Sequence, residues 1–318
     1  MNRSFARAIS FAMGSLLLGS GTSSGPAVPP TFARMFVSQC FSKKIFILAP
    51  PFSPSQKAAD SIAQPCTNSI AFDASTGMLA VASGGVLGTL AISIYNPPFS
   101  GASVPRVTFS PSGLLHPRQL AWDGSGGFWI ADDLANKVYN FRAPFSVTSS
   151  PAAVNTLATQ PIGLAIDPKA GLMFVGDAGG NRICEATPCR VLVVPAPYTG
   201  TAVATVALGN SSPAAMAIDR AGRLFVGFDN GDFEGLIKVF TPPFVTGETA
   251  AYTLDAGDAI KSLAFDSGQN LYAQFHTGGV VTFNGPISAS VTTPSAALGC
   301  PSGATCTIKN WAGLSFGP

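Results

Sequence analysis

The densest group of potential metal ligands in this sequence is a six-residue run, DNGDFE, at positions 229–234. It places the carboxylates of Asp229, Asp232 and Glu234 around a glycine, and hard oxygen ligands of this kind can hold Ca²⁺. The run is shorter than an EF-hand loop and lacks the bidentate glutamate that ends one. A solvated hairpin tip is the favoured interpretation of the run, and a Ca²⁺ site is the alternative. We therefore expect no cofactor, with Ca²⁺ held by Asp229, Asp232 and Glu234 as the one alternative.

Proton-transfer chemistry has few candidates, because the chain has only two histidines, His116 and His276. His116 directly precedes a proline at the start of an apolar segment, and His276 directly follows another apolar segment. Both placements favour a surface or structural role. The sequence also contains no HExxH zinc motif and no phosphate-binding loop. These observations favour a non-catalytic protein over an enzyme.

Residues 1–27 have the layout of a secretory signal peptide followed by a short linker. Arg3 and Arg7 form a basic start, residues 8–19 form an apolar stretch, and small residues follow. A buried first helix is the competing interpretation, but the stretch leads into Gly, Ser and Pro and has no polar face. We predict an exported protein, located in the periplasm, at the cell surface or outside the cell. Residues 28–318 are expected to form one domain.

Export changes the interpretation of the six cysteines. An even number of cysteines in an exported chain favours disulfides over a thiolate metal site, and no CxxC motif occurs. Six cysteines allow fifteen pairings, and the spacing along the chain favours one of them. The favoured pairs are Cys184 with Cys189, Cys300 with Cys306, and Cys40 with Cys66.

The composition narrows the class of partner. Charged residues make up only 11% of the 318 residues, against about 25% in an average soluble protein. No run of 18 apolar residues occurs, so we predict no membrane-spanning helix. The 18 basic and 16 acidic side chains leave a formal net charge of only +2, which argues against binding to nucleic acid. The expected partner is a protein or a small neutral or carbohydrate ligand.

Six segments of the chain share one pattern, an alternating apolar strand that closes on a proline and a large apolar residue. The residue after the proline is aromatic in five of the six. The copies are IFILAPPF (45–52), ISIYNPPF (92–99), VYNFRAPF (138–145), VLVVPAPY (191–198), IKVFTPPF (237–244) and VVTFNGPI (280–287).

Further strand-like patterns accompany these copies. An upstream pattern, of which SIAFD at 69–73 and QLAWD at 119–123 are examples, joins a central alanine to a large apolar residue and a final aspartate. With a middle strand and a looser outer strand, each unit contains four short strands over 44–52 residues. This is the sequence signature of a β-propeller blade. The alanines should lie near the axis, their large neighbours should fill the space between blades, and the aspartates should cap their own turns.

The two ends of the chain hold complementary fragments of one blade. MFVSQ at 35–39 and the strand at 45–52 match the second and third strands of a unit, whereas GLSFG at 313–317 matches a first strand alone. Pairing these fragments would remove an open sheet edge. We therefore predict an all-β protein, a six-bladed β-propeller with four-stranded antiparallel blades. Its C-terminal strand completes the N-terminal blade.

Two units, PRQLAWDGSGGFWIADDLANKV (117–138) and PIGLAIDPKAGLMFVGDAGGNRI (161–183), resemble NHL-type repeats. The chain is also distantly similar to the gluconolactonase-like and TolB-like propeller superfamily. Two later units depart from the NHL pattern, because Phe228 and Phe275 stand where it has an aspartate. The resemblance implies the propeller fold, and NHL-like propellers include binding modules, lactonases and lyases.

In this topology one face carries the loops that lead into first strands and the hairpins that join second to third strands. All six cysteines fall in these two kinds of loop. The lead-in loops also supply a mixed polar ring that suits a neutral or zwitterionic ligand. We predict an axial binding mouth formed by Asn68, His116, Arg118, Gln160, Ser212, Asp258, Lys261 and Asn310.

The function we predict is that of a binding or interaction scaffold, acting through the axial mouth and the cystine-bearing face. The resemblance implies an alternative, a divalent-metal-dependent hydrolase of the lactonase or esterase type. Its metal ligands would be Asn68, Asp258 and Asn310, with His116 as the proton-transfer partner. The Glu-Gly-Pro motif of the gluconolactonase-like family is missing from this sequence. A structural surface protein is a third possibility, since low charge suits packing against other chains.

Overall fold

A computed structural model of the chain describes residues 34–40, 42–54, 56–85, 88–180, 184, 187–229, 234–299 and 311–318. The predicted signal peptide and linker at 1–27 lie outside these residues. The described part is all-β, with twenty-four strands in six four-stranded antiparallel sheets and no helix. The predicted fold class, a six-bladed β-propeller, is therefore confirmed.

We number the blades from the one that holds the first strand of the chain. Blade 1 contains β1 (Arg34–Gln39), β2 (Lys44–Leu48), β3 (Asp60–Ala63) and β24 (Trp311–Gly317), and blade 2 contains β4 (Thr67–Phe72), β5 (Leu79–Gly85), β6 (Gly88–Tyr95) and β7 (Val107–Phe109). Blade 3 contains β8 (Pro117–Trp122), β9 (Gly127–Asp132), β10 (Lys137–Arg142) and β11 (Ala153–Asn155), and blade 4 contains β12 (Pro161–Asp167), β13 (Leu172–Asp177), β14 (Cys189–Pro195) and β15 (Ala204–Gly209). Blade 5 contains β16 (Pro213–Ile218), β17 (Leu224–Phe228), β18 (Leu236–Phe240) and β19 (Tyr252–Asp255), and blade 6 contains β20 (Ile260–Phe265), β21 (Leu271–Phe275), β22 (Val280–Phe283) and β23 (Ala296–Gly299).

Blade 1 is shared between the two ends of the chain, as predicted. Its strand order is β24-β1-β2-β3, so the C-terminal strand is the innermost one. The antiparallel register places Phe36 opposite Ser315 and Arg34 opposite Gly317. The Arg34 guanidinium also donates from Nε to the Pro318 carbonyl at 2.7 Å. The ring is thus closed by backbone pairing and by a side-chain hydrogen bond between its termini.

The repeated sequence columns have consistent structural roles. Leu120 and Trp122 of β8 belong to the same buried apolar cluster as Ala80 and Ala82 of the preceding blade, so this cluster spans two neighbouring sheets. The peptide bonds that precede the repeated prolines are all cis. These prolines are Pro51, Pro98, Pro144, Pro197, Pro243 and Pro286.

The aspartates that follow the first strands cap their own turns, which confirms the predicted role. The Asp73 carboxylate accepts from the Ser75 backbone N at 3.0 Å and from the Thr76 hydroxyl at 2.7 Å. Equivalent bonds to turn amides are made by Asp123, Asp167, Asp219 and Asp266. We call this end of the ring, which carries the turns between first and second strands, the turn face.

Candidate functional site on the cystine face

The opposite end carries the lead-in loops and the hairpins between second and third strands, and we call it the cystine face. Two disulfides lie there, Cys40–Cys66 and Cys184–Cys189. The first joins the β1–β2 hairpin of blade 1 to the residue just before β4 of blade 2. Two of the three predicted pairs are thereby confirmed. The third, Cys300 with Cys306, lies outside the described residues.

Several of the predicted mouth residues are engaged in local contacts on this face. The Asn68 amide donates to Gly84 O at 2.7 Å and to Pro117 O at 2.9 Å, and so joins blade 2 to blade 3. The Asp258 carboxylate accepts from the Ala259 backbone N at 2.7 Å. Asn310 lies outside the described residues. The remaining mouth residues with described positions are placed just before or within the first two residues of first strands. They are His116, Arg118, Gln160, Ser212 and Lys261.

The structure brings His116 and Arg118 together around one carboxylate. His116 Nδ1 lies 2.6 Å from Asp133 Oδ1, and Arg118 Nε lies 3.6 Å from Asp133 Oδ2. The Asp133 side chain is fully buried, whereas 14% of His116 and 22% of Arg118 remain exposed. The two basic side chains are thus held at the surface by a carboxylate beneath them. The sequence did not indicate a role for Asp133. The repeat pattern accounts for the preceding residue, Asp132, which ends the strand, and Asp133 has no position in that pattern.

That neighbour, Asp132, fastens two loops to each other. Its carboxylate accepts from the Leu115 backbone N at 2.5 Å in the lead-in loop, and from the Leu134 N at 3.1 Å in the β9–β10 hairpin. It also accepts from His116 N at 3.0 Å and Ala135 N at 2.9 Å. Four backbone amides from two loops therefore share one buried carboxylate.

Tyr139 holds the same lead-in loop at Gly113, two residues before Leu115. Its hydroxyl donates to Gly113 O at 2.7 Å. Burial, and secondly the charge of Asp132, raise the pKa of the Tyr139 hydroxyl above its usual range. The hydroxyl consequently stays protonated and keeps its donor role through the neutral pH range.

Three leucines are exposed where these loops meet. Leu115 is 54% exposed, Leu134 57% and Leu157, in the next lead-in loop, 36%. In the orientation that satisfies its neighbours, the Asn136 side-chain amide donates to Asp133 O at 3.1 Å and to Thr159 O at 2.6 Å, which joins the hairpin to the loop of Leu157. We call Leu115, Leu134 and Leu157 the leucine patch. Along the chain, Leu115 directly precedes His116 and Leu134 directly follows Asp133.

The acidic run in blade 5 is described only at its two ends. Asp229 directly follows β17 and forms an ion pair with Lys261 of the next blade. Glu234 is exposed, and Asp232 lies outside the described residues. Within the described ranges no group of three His, Cys, Asp or Glu side chains is placed to share a metal ion. The Ca²⁺ site therefore stays an alternative that rests on the sequence.

Among the residues with described positions, no helix is long and apolar enough to cross a membrane.

The sequence matches no protein-family model and no curated protein. Among solved structures, the fold is similar to a chain in a crystal structure titled as the nidogen/laminin complex, with a TM-score of 0.64 and 15% identity. The alignment covers 90% of this chain and 98% of that one. At this level of identity the similarity concerns the fold, and it supports the assignment of a six-bladed β-propeller.

Proposed function

We propose that the protein is an exported, non-catalytic scaffold that binds another protein through its cystine face. The observation that carries this proposal is the leucine patch, in which three apolar side chains stay exposed on loops that hydrogen bonds hold in place. Grouped apolar residues with a polar surround are typical of protein interfaces. His116 and Arg118 supply that surround.

Two other observations support parts of the proposal. Disulfides persist in oxidising compartments, so the two cystines agree with the export expected for residues 1–27. The nidogen/laminin title describes a propeller of similar fold in a complex between proteins. The NHL-type assignment of the repeats rests on the two units at 117–138 and 161–183.

The expected partner presents apolar side chains to the leucine patch and polar groups to its rim. The axial mouth would extend the contact through Asn68, Gln160, Asp258, Lys261 and Asn310. A small neutral or carbohydrate ligand in the mouth is compatible with the same face. The hydrolase alternative has less support, because the Glu-Gly-Pro motif of the gluconolactonase-like family is missing from the sequence.

A peptide-display selection tests the proposed face. The immobilised protein should enrich a convergent set of peptides that contain apolar residues. Leu134→Asp should weaken their binding at least tenfold, because the substitution puts a charge where an apolar contact must be desolvated. The affinities should be measured by fluorescence anisotropy with the selected peptides.

The matched control is Val147→Asp, which changes a valine that is 74% exposed in a loop at the turn face. It should leave peptide affinity within about twofold, because rim positions away from an interface contribute little. Failure to enrich any convergent set would contradict the proposal. So would peptides that bind Leu134→Asp as tightly as the unsubstituted protein.

The alternative Ca²⁺ site has a separate test. If the run holds the ion, adding Ca²⁺ to protein stripped with EDTA should raise the thermal unfolding midpoint, because a ligand that binds only the native state stabilises it by about 2.7 kcal/mol at 100 times its Kd. Glu234→Gln should reduce the increase, whereas Glu248→Gln, at a site outside the run, should not. An unchanged midpoint at millimolar Ca²⁺ would show that the run 229–234 is an ordinary hairpin tip.

A further inference from the structure

The axis of the ring contains a cavity of about 900 Å³ that opens at the turn face. All six first strands, β4, β8, β12, β16, β20 and β24, contribute to its wall. None of the predicted axial-mouth residues whose positions the structure describes lines it. This is a different site from the leucine patch, at the opposite end of the molecule.

The inner end of the cavity is formed by polar side chains that bond across the axis. Gln119 of blade 3 accepts at Oε1 from Leu164 N at 3.0 Å and from Met216 N at 2.9 Å, and it donates from Nε2 to Met216 O at 2.7 Å. It therefore joins blades 3, 4 and 5. Ser69 and Ser262 each accept from the backbone N of the next first strand, at 3.1 and 3.0 Å. The lining extends no further toward the cystine face than these three side chains.

The wall is apolar, because each first strand contributes the large residue that follows its alanine or serine. Four of these six residues are only half-buried, so they leave apolar surface facing the cavity instead of filling the space between blades completely. The half-buried ones are Phe72, Ile166, Ile218 and Phe265, and the more buried ones are Trp122 and Phe316.

The rim carries no dominant charge. Arg220 donates from its guanidinium to Ser267 O at 2.8 Å, and the carboxylates of Asp73 and Asp266 cap their own turns. One cation thus stands with two anions around the opening. The charged side chains at the rim already have hydrogen-bond partners, so a strongly charged ligand would pay the cost of desolvation without gaining an ion pair. A neutral ligand would meet an apolar wall without that cost.

Backbone groups give the wall a few polar contacts. The amides of Leu120, Leu164 and Leu314 point to the axis, since that is where their side-chain acceptors lie. In an antiparallel strand the direction of these groups repeats every second residue. The backbone amides of Trp122, Ile166 and Phe316 therefore face the cavity too. They can hydrogen-bond one or two polar atoms of a ligand.

We propose that this cavity binds a compact, neutral and largely apolar small molecule with one or two hydrogen-bonding groups. Sites for small molecules occupy about 300–1,000 Å³ and combine an apolar wall with a few polar groups. The cavity meets both conditions, and its lining includes turn residues at the turn face, where a ligand can enter. A protein segment would need a longer open groove, so a small molecule is the occupant that fits the shape.

The neutral fluorophore 1-N-phenylnaphthylamine is a suitable probe, because its emission rises in apolar surroundings. The purified protein should bind it saturably, with one site per chain. Ile218→Trp, which fills the cavity with an apolar side chain, should weaken binding at least tenfold. Ile166→Trp makes the same change from the neighbouring strand and is the second variant if the first does not fold. Val147→Ser is the matched surface control and should bind the probe as the unsubstituted protein does.

The thermal unfolding midpoint of each variant shows whether it is folded. Saturable binding that is lost in a folded filled variant and kept in Val147→Ser supports the axial site. Absence of saturable binding overturns the proposal. So does a result in which both filled variants bind the probe as tightly as the unsubstituted protein does. Loss of probe binding in Leu134→Asp alone would place the probe on the leucine patch and would equally overturn it.

Discussion

Deleting residues 311–318 is expected to abolish the soluble folded protein. β24 is the innermost strand of blade 1 and also contacts β4 and β20. Its removal exposes the whole edge of β1 and the partners of Leu314 and Phe316, which are only 3% and 7% exposed. Each such side chain contributes about 1.5–3 kcal/mol, and the lost strand pairing adds to that. The sum is a large share of the about 5–15 kcal/mol that separates folded from unfolded domains.

The measurement is the soluble yield, followed by size-exclusion chromatography and thermal unfolding. The truncated chain should aggregate, since an open strand edge pairs with other chains. A chain that lacks only Pro318 is the control. It loses the carbonyl that accepts from Arg34 but keeps β24, so it should stay monomeric with a slightly lower midpoint. A truncated protein that remains monomeric and equally stable would show that the C-terminal strand does not close the ring.

Asp132→Ala is expected to have the second largest effect, a loss of about 3 kcal/mol of folding free energy. Hydrogen bonds to charged groups contribute about 1.5–3 kcal/mol each, and four amides lose such a bond here. Water replaces part of the loss, because the loops are partly exposed. The thermal midpoint should fall by about 6–10 °C. Binding of the selected peptides should weaken as well, although the Asp132 side chain is buried and contacts no partner itself.

Asp167→Ala is the matched control for this change. Asp167 also ends a strand of the repeat, and among the described residues its carboxylate accepts from the Lys169 and Ala170 amides, at 3.0 Å each. Its loss should cost about 1 kcal/mol and leave peptide binding unchanged. Urea unfolding measures both free energies. Equal destabilisation by the two substitutions, or intact peptide binding by Asp132→Ala, would contradict the role assigned to Asp132.

The fold was predictable from the sequence because it is encoded six times. A position such as the proline or the central alanine recurs in several copies, so a deviation in one copy does not hide the pattern. The same repetition predicted that GLSFG at 313–317 pairs with the N-terminal strands. The aspartate caps were predictable too, because each cap is formed within a few residues of its own strand.

The site was less predictable, because it depends on residues that occur once. Gln119 occupies a column that otherwise holds Ser, Gly or Ala, so no repeat indicated that it bonds across the axis. Leu115 and Leu134 lie on two loops that meet at Asp132. These loops are separated along the chain, and the repeat pattern does not indicate that they meet. The axial cavity likewise appears only when six strands are arranged in a ring. Sequence reasoning assigned its wall residues to the spaces between blades.

The position of the two ends of the described chain determines which face of the molecule points away from an attachment point. Arg34 and Pro318 are bonded to each other at the turn face, so the described chain starts and finishes on one side of the disc. A short tether joined directly at Arg34 or at Pro318 would hold that side toward its anchor. The cystine face would then point away from the anchor, with the leucine patch accessible to a passing partner. Attachment at both ends would give the same orientation as attachment at one.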